Sequence, residues 1–180
     1  MAVLGDVVWP PEPVTTERLV LRQTQAGDRP AFVEMSCSDE VRRFLGGAED
    51  RELVERETPE VPGAYPGVFA VELDGRCIGA VIIERRDRDR PGHVDPAGGE
   101  LEISYLLLPA AWGRGLAFEA VAAALEWTWS RFPGEPVLLC TQIANERSLA
   151  LAKRLGFSEI ARFAEHGAEQ WLGVRRADGS

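Results

Sequence analysis

The segment Trp112-Gly113-Arg114-Gly115 has residue types and spacing that suit the binding of an anion. An apolar run ends at Leu108, the two glycines permit a tight turn, and a helical pattern begins near Gly115. The first N–H groups of a helix have no partners within it, and the helix dipole adds partial positive charge. Together with the permanent cation of Arg114, such a turn suits a phosphate group.

Sequence motifs narrow the class of phosphate ligand. The pattern GxxxxGK[ST] of nucleoside triphosphate-binding loops is absent from the sequence. The dinucleotide pattern GxGxxG fails as well, because Phe118 replaces its third glycine and the following strand does not end on an acidic residue. A tight strand-to-helix turn without a ligand is the alternative interpretation of these glycines.

Strand and helix patterns predict an α/β domain over residues 15–176, with an extended arm at 1–14 and a tail at 177–180. Strands are predicted at 18–22, 68–73, 76–84, 100–108, 137–141, 157–164 and 169–175. Helices are predicted at 29–36, 39–44, 48–58, 115–131 and 145–155, with Asp28 and Asp39 as N-caps of the first two. Asp74-Gly75 predicts a tight hairpin turn. These elements predict a mixed central sheet of about seven strands that is flanked by helices.

Composition and charge limit the class of protein. The 180 residues carry 20 Lys and Arg against 29 Asp and Glu, a formal net charge of −9, and 45% of them are hydrophobic. These values predict one globular domain, argue against nonspecific nucleic-acid binding, and favour cationic molecules or peptides as ligands. Because no apolar run reaches the roughly 20 residues of a membrane span and no basic signal region is present, a cytoplasmic protein with no membrane contact is expected. The three cysteines lack metal-ligand spacing, so neither a zinc site nor a disulfide framework is predicted.

Residues 85–99 form a long connection that begins with a run of Arg and Asp. Such a run is typical of a solvated, mobile loop, and a lid over a substrate is the alternative. His93 lies among Pro and Gly residues in this loop and is expected to be a surface histidine.

Four segments resemble the GCN5-related N-acetyltransferase (GNAT) superfamily, and within it the ribosomal-protein N-acetyltransferase-like (RimJ/RimL-type) branch. They are Thr16–Arg22, Glu102–Leu107, Trp112–Ala117 and Asn145–Phe157, and their order and spacing are more specific than any one of them. The resemblance covers residues 15–176 and implies the GNAT fold, in which acetyl-CoA binds where two central parallel strands splay apart. Those strands would be the ones that end at Leu108 and Thr141. The 85–99 insertion departs from the pattern of the superfamily.

The resemblance also implies which residues bind acetyl-CoA as the acyl-donor cosubstrate, with no metal. Backbone groups of Leu106, Leu107 and Leu108 would pair with the pantetheine arm, and one of their N–H groups would polarise the thioester carbonyl. The turn that would hold the pyrophosphate consists of Trp112, Gly113, Arg114, Gly115, Leu116 and Ala117. Asn145 would be a further cofactor contact, although asparagine also suits the N-cap of the helix that follows.

Two residues are candidates for the proton transfers of an acetyltransferase. Glu102, which shares a strand face with Ser104, is the candidate general base, directly or through a water molecule. A strand carboxylate that pairs with an arginine is its structural alternative. Ser148 is the candidate acid near the sulfur, and closing the Asn145 cap is its alternative. Tyr105 is a second acid candidate, but its partners on that strand face favour a place in the core.

The activity implied is direct transfer of an acetyl group from acetyl-CoA to a primary amine in a ternary complex. The acceptor is a protein N-terminus or a small cationic molecule such as a polyamine or an aminoglycoside. A non-catalytic acyl-CoA-binding module is the alternative, and the resemblance allows a homodimer.

Overall fold

The computed structural model describes Leu4 and residues 7–177. Its strands are β1 (Val14–Thr15), β2 (Leu19–Gln23), β3 (Val68–Leu73), β4 (Arg76–Arg85), β5 (Leu101–Leu107), β6 (Val137–Gln142), β7 (Ser158–Glu165) and β8 (Ala168–Arg175). Its helices are α1 (Arg29–Cys37), α2 (Asp39–Arg42), α3 (Arg51–Glu57), α4 (Leu116–Arg131) and α5 (Glu146–Arg154). Every predicted helix and strand is present, close to its predicted bounds.

The strands form one mixed sheet in the order β1-β2-β3-β4-β5-β6-β8-β7. β5 and β6 are parallel, with Leu101 opposite Val137 and Glu102 opposite Leu138. The neighbouring pairs β2–β3, β3–β4, β6–β8 and β7–β8 are antiparallel. The α/β class and the mixed sheet are therefore confirmed. The eighth strand is β1, which pairs with β2 at the end of the predicted arm.

Two compact units make up the described chain. The N-terminal unit comprises residues 8–82 and 105–124, and the C-terminal unit comprises 83–104 and 125–177 with Leu4 and Val7. That residues 15–176 act as one domain stays a prediction.

In the N-terminal unit, helices α1 and α2 place Met35 and Val41 on Ala80 of β4, where all three are buried. The β3–β4 turn has positive φ at Asp74 and Gly75 (51° and 75°), as the Asp-Gly dipeptide predicted.

Two predicted helix caps of the N-terminal unit are wrong in detail. The N-cap of α2 is Ser38, whose side chain accepts a hydrogen bond from the Val41 N–H, and Asp39 is the first helical residue. Asp28 is the N-cap residue of α1, as predicted, but its side chain makes no cap hydrogen bond. Its buried carboxylate instead accepts two hydrogen bonds from the Arg22 guanidinium, at 2.7 and 2.9 Å. The charge of Arg22 outcompetes the helix N-terminus for this carboxylate.

In the C-terminal unit, the sheet buries an apolar layer that includes Ile83, Ile103 and Leu139. Helix α5 starts at Glu146 because the Asn145 side chain accepts a hydrogen bond from the Ser148 N–H. Among the described residues, no helix has the length and apolar character needed to cross a bilayer.

Candidate active site

The glycine turn has the geometry that an anion site needs. Gly113 and Gly115 have φ of 73° and 77°, values that strain any residue with a side chain, and α4 begins at Leu116. Gly113, Arg114 and Gly115 are all exposed. A Cβ at Gly113 would meet no atom within 4 Å, so the turn has open space in front of it. The first N–H groups of the 16-residue helix α4 follow directly.

A clamp that the sequence did not predict fixes the start of α4. Glu119 accepts hydrogen bonds from the Thr16 hydroxyl (2.6 Å), the Arg18 backbone N–H (2.8 Å) and the Arg18 guanidinium (2.7 Å). Arg18 also donates to the Arg114 carbonyl at 2.9 Å, and its Nη2 lies 3.6 Å from where a Cβ at Gly115 would stand. The only sequence signal for this contact is that Thr16 and Arg18 belong to the first family-like segment. Arg18 thus supplies a second guanidinium beside the turn.

The three leucines before the turn differ in the backbone groups they present. Leu108 uses both of its groups within the protein, since its N–H donates to the Ile78 carbonyl and its carbonyl accepts from Ala111, both at 2.9 Å. Because successive residues of a strand point their N–H groups to opposite edges, Leu106 also faces β4, and Leu107 faces away from it. The Trp112 indole donates to the Leu107 carbonyl at 2.7 Å. The Leu107 N–H is therefore the group best placed to pair with a ligand.

Glu102 lies in a buried ion-pair network rather than in solvent. Its side chain is 8% exposed, and its Oε2 is 2.7 Å from the Arg86 Nη1 and 3.3 Å from the Arg90 Nη1. Arg90 also contacts Glu165 of β7 at 2.8 Å. Hydrogen bonds from Arg90, outweighing the effect of burial, hold the pKa of Glu165 below its usual range. The arginine partner foreseen as the structural alternative for Glu102 is present, and its role as a base stays a prediction.

The prediction of a solvated loop at residues 85–99 is wrong for Arg86, which is 1% exposed. Its guanidinium donates to the Pro91 and Gly92 carbonyls at 2.5 and 2.9 Å. These bonds, with the Glu102 ion pair, compensate the cost of burying its charge.

His93 is not the surface histidine that was expected. Its Nδ1 lies 2.7 Å from the Glu100 carboxylate, and its side chain is 15% exposed. Glu100 also accepts the Val94 and Asp95 backbone N–H groups, at 2.5 and 2.8 Å. The Glu100 carboxylate, which directly precedes β5, therefore stabilises residues 93–95 of the 85–99 loop.

Ser148 and Asn145 lie together at the start of α5, as predicted. The Asn145 Oδ1 accepts the Ser148 N–H at 3.2 Å, and Ser148 is 8% exposed. The cap engages the oxygen of the amide, which also carries two N–H donors. Tyr105 is half-buried on β5. The cofactor contact of Asn145 and the acid roles of Ser148 and Tyr105 stay predictions.

Cysteine nucleophiles and metal ligands find no support in the part of the chain that the structure describes. Burial raises the pKa of both Cys77 and Cys140 to about 11, so at neutral pH they are thiols. In Leu4 and residues 7–177, no three His, Cys, Asp or Glu side chains are grouped to hold a metal ion.

Comparison with known proteins identifies the family. A sequence model described as the acetyltransferase (GNAT) domain matches residues 18–158. A putative GNAT-family acetyltransferase from Bordetella pertussis has a similar structure, with a TM-score of 0.70 and 24% identity over 92% of this chain and 99% of that chain. The aminoglycoside acetyltransferase AAC(6')-Ib in complex with coenzyme A has a TM-score of 0.70 at 17% identity, over 88% of this chain and 95% of that chain. The ribosomal L7/L12 alpha-N-protein acetyltransferase RimL has a TM-score of 0.67 at 14% identity, over 92% of this chain and 94% of that chain.

The family match covers more than half of the chain, and the similar structures share its fold over most of their length. The fold expected from the four sequence segments is thus confirmed. Acetyl-CoA is the acyl donor that this family uses. The chain belongs to the GNAT acetyltransferase family.

Proposed function

We propose that this protein transfers an acetyl group from acetyl-CoA to a primary amine by direct attack in a ternary complex. The observation that carries the proposal is the exposed glycine turn at the start of α4, in a chain that matches the GNAT domain. Positive φ at both glycines, the open space beside Gly113 and the unpaired first N–H groups expected of a helix suit the pyrophosphate of coenzyme A.

Cofactor binding is assigned to backbone groups and to two arginines. The N–H groups of residues 113–117 hold the pyrophosphate, and Arg114 supplies a permanent cation. Arg18 adds positive charge to the same turn, although Glu119 neutralises part of it. The Leu107 N–H polarises the acetyl carbonyl, while Leu106 and Leu108 shape the strand beside it. Trp112 keeps the Leu107 backbone in place through its indole hydrogen bond.

Bound acetyl-CoA supplies an activated acetyl group as a thioester, and the chain must manage two protons. An ammonium group must lose a proton before its nitrogen can attack, so a carboxylate on the sheet face that carries Glu102 serves as the base. Ser148 donates a proton to the leaving sulfur. Asn145 fixes the Ser148 backbone and offers its amide N–H groups to the cofactor.

The acceptor is assigned to the class of cationic primary amines. The net charge of −9 attracts such molecules over several ångströms beyond contact. The similar structures include both an aminoglycoside acetyltransferase, also solved with ribostamycin, and a ribosomal-protein N-terminal acetyltransferase. We therefore propose that the acceptor is either a small amine or a protein N-terminus. From the resemblance of its four segments, we also assign the chain to the RimJ/RimL-type branch and propose that it is a cytoplasmic homodimer.

Thermal melting with acetyl-CoA, NADPH or ATP tests the cofactor. Acetyl-CoA alone should raise Tm, because a ligand at 100 times its Kd adds about 2.7 kcal/mol to the free energy of unfolding. Arg114→Ala should weaken that binding by about 1–3 kcal/mol, whereas Arg76→Ala, an exposed arginine on β4, should not change it. A wild-type protein that acetyl-CoA does not stabilise would refute the proposal.

Thiol release tests turnover, with ribostamycin, spermidine and a peptide that has a free N-terminus as the amines. Release that depends on one of these amines supports the enzyme. Stabilisation by acetyl-CoA with no release on any of the three favours the non-catalytic module.

A further inference from the structure

Two carboxylates of the C-terminal unit face each other across neighbouring strands. The Arg86 N–H donates to the Glu100 carbonyl at 2.8 Å, which makes these two residues an opposed, hydrogen-bonded pair. The Leu108 N–H donates to the Ile78 carbonyl in the same register, so β4 and β5 are antiparallel neighbours, and Glu84 of β4 stands opposite Glu102 of β5. Opposed residues of this kind have Cα atoms about 5.5 Å apart and side chains on the same face. Sequence inspection did not single out Glu84, because its position depends on this register.

The two carboxylates have different surroundings. Glu102 is buried and its Oε2 accepts from both Arg86 and Arg90. Glu84 is half-buried, and within the described residues no salt bridge or side-chain hydrogen bond engages it. Burial, and then the negative charge of Glu102, raise the pKa of Glu84, while positive charges, among them Arg90, oppose them in part. One carboxylate therefore accepts from two guanidinium groups, whereas its neighbour lacks such a partner among the described residues and has a raised pKa.

We propose that Glu84, not Glu102, accepts the proton of the acceptor ammonium, and that Glu102, held by Arg86 and Arg90, is the fixed anion that tunes it. This inference rests on the proposed acetyltransferase function. Protonation of Glu102 would sacrifice charge-assisted bonds to two guanidinium groups in a buried site. Glu84 gains a proton without breaking such a bond, and a base is most effective when its pKa approaches the working pH.

Access to this face supports the assignment. Ser104 follows Glu102 by two residues and lies on the same face of β5. It is exposed even though β5 lies between β4 and β6 in the sheet. The face is therefore covered at Glu102 and open at Ser104, and Glu84 is exposed to an intermediate degree. An amine can approach Glu84 where it cannot approach Glu102.

The proton balance is simple. An N–H bond of the ammonium breaks and an O–H bond forms on the Glu84 carboxylate, which leaves a neutral amine. When the amine nitrogen bonds to the acetyl carbon and the C–S bond breaks, Ser148 donates its hydroxyl proton to the sulfur and regains a proton from the nitrogen, so the second proton of the amine in effect ends on the sulfur. Glu84 then returns its proton to water.

A direct test is a ¹³C NMR titration of the glutamate side-chain carboxyl carbons in the full-length protein. Glu84→Gln and Glu102→Gln assign the two signals by their disappearance. The Glu84 signal should titrate above the ordinary glutamate value of about 4.3 in wild type, and closer to 4.3 in Glu102→Gln. Should Glu102→Gln not fold, the titration of the Glu84 signal in wild type decides. A Glu84 signal that titrates at or below about 4.3 overturns the inference.

Kinetics give the second readout, with acetyl-CoA and ribostamycin as the probe pair. Glu84→Gln should lower kcat/KM about 100-fold or more, since general base catalysis contributes about 10²–10⁴-fold. Glu84→Asp should restore part of the rate, and the exposed strand residue variant Glu169→Gln should match wild type. Acetyl-CoA should raise the Tm of Glu84→Gln as much as that of wild type.

The possible results distinguish a failure of the Glu84 assignment from a failure of the proposed acetyltransferase function. Loss of rate in Glu84→Gln with normal acetyl-CoA stabilisation supports the inference. A Glu84→Gln rate within threefold of wild type overturns it and leaves the acetyltransferase intact. Failure of acetyl-CoA to stabilise the wild-type protein refutes the proposed function itself. If wild type binds acetyl-CoA but leaves ribostamycin unmodified, the NMR titration decides the inference.

Discussion

Replacing Arg86 by methionine should destabilise the protein strongly, although the loop that carries Arg86 is rich in charge. The Arg86 guanidinium is fully buried and donates to Glu102 at 2.7 Å, to the Gly92 carbonyl at 2.9 Å and to the Pro91 carbonyl at 2.5 Å. It also lies 5.7 Å from the centroid of the Phe163 ring. Methionine keeps the apolar stem but removes all three hydrogen bonds and the charge.

The magnitude follows from what the substitution leaves behind. Removing one partner of a buried ion pair costs about 3–5 kcal/mol, because the remaining charge stays buried without compensation. Here Glu102 keeps Arg90 at 3.3 Å, so the lower end of that range applies. Pro91 is exposed, and water can replace part of its lost hydrogen bond. We expect the free energy of unfolding to fall by about 3 kcal/mol, a large part of the 5–15 kcal/mol typical of a domain.

Urea unfolding followed by tryptophan fluorescence measures this change, with the slope m compared between proteins. The control is Arg162→Met, whose ion pair with Glu159 is exposed on both sides and should leave the midpoint unchanged. In the double variant of Arg86→Met with Glu102→Gln, part of the loss should be recovered, because the uncompensated charge is gone. A loss below about 1 kcal/mol in Arg86→Met, or a strictly additive double variant, would refute this reasoning.

Three shorter predictions concern other sites. Gly115→Val should abolish acetyl-CoA stabilisation while far-UV circular dichroism stays that of wild type, because φ of 77° is strained for valine and its side chain would fill the anion site; unchanged affinity would place the phosphate elsewhere. Cys77, whose pKa burial raises to about 11, should react slowly with iodoacetamide at pH 8 and faster as the pH approaches 11; rapid labelling at pH 8 contradicts this. Glu165 has a folded pKa below its unfolded value of about 4.3, so its bond to Arg90 stabilises the protein above that pH and loses this effect as the pH falls through the folded pKa. Glu165→Gln should thus be less stable than wild type at pH 7, with the difference in urea midpoint shrinking below about pH 4; a constant difference is the contrary result.

Features set by neighbouring residues could be predicted from the sequence. The Asp74-Gly75 turn, the Asn145 cap and the glycine turn before α4 each depend on a few adjacent residues. The local backbone conformation follows from such residues directly, because positive φ and side-chain caps involve residues no more than four apart. The family-like order of the segments then identified the fold.

Contacts between distant residues could not be predicted in the same way. Glu119 binds Arg18 from 101 residues away, and Arg86 reaches Glu102 across 16 residues. A run of alternating Arg and Asp has the same composition whether it is solvated or anchored, so only the partner on β5 distinguishes Arg86 from its neighbours. Glu84 is a similar case, because the register of β4 and β5 alone brings it opposite Glu102.

The Glu102 carboxylate has two tasks in this arrangement, and they respond differently to substitution. It anchors the 86–99 loop through Arg86 and Arg90, and its charge faces Glu84. Glu102→Gln should therefore lower both stability and acetyl transfer, whereas Glu84→Gln should lower transfer alone, since none of the described residues forms an ion pair with Glu84. If Glu102 were itself the base, Glu84→Gln would leave the rate intact, and loss of rate would always accompany loss of the loop anchor. The ratio of rate loss to stability loss in these two variants thus identifies which carboxylate takes the proton.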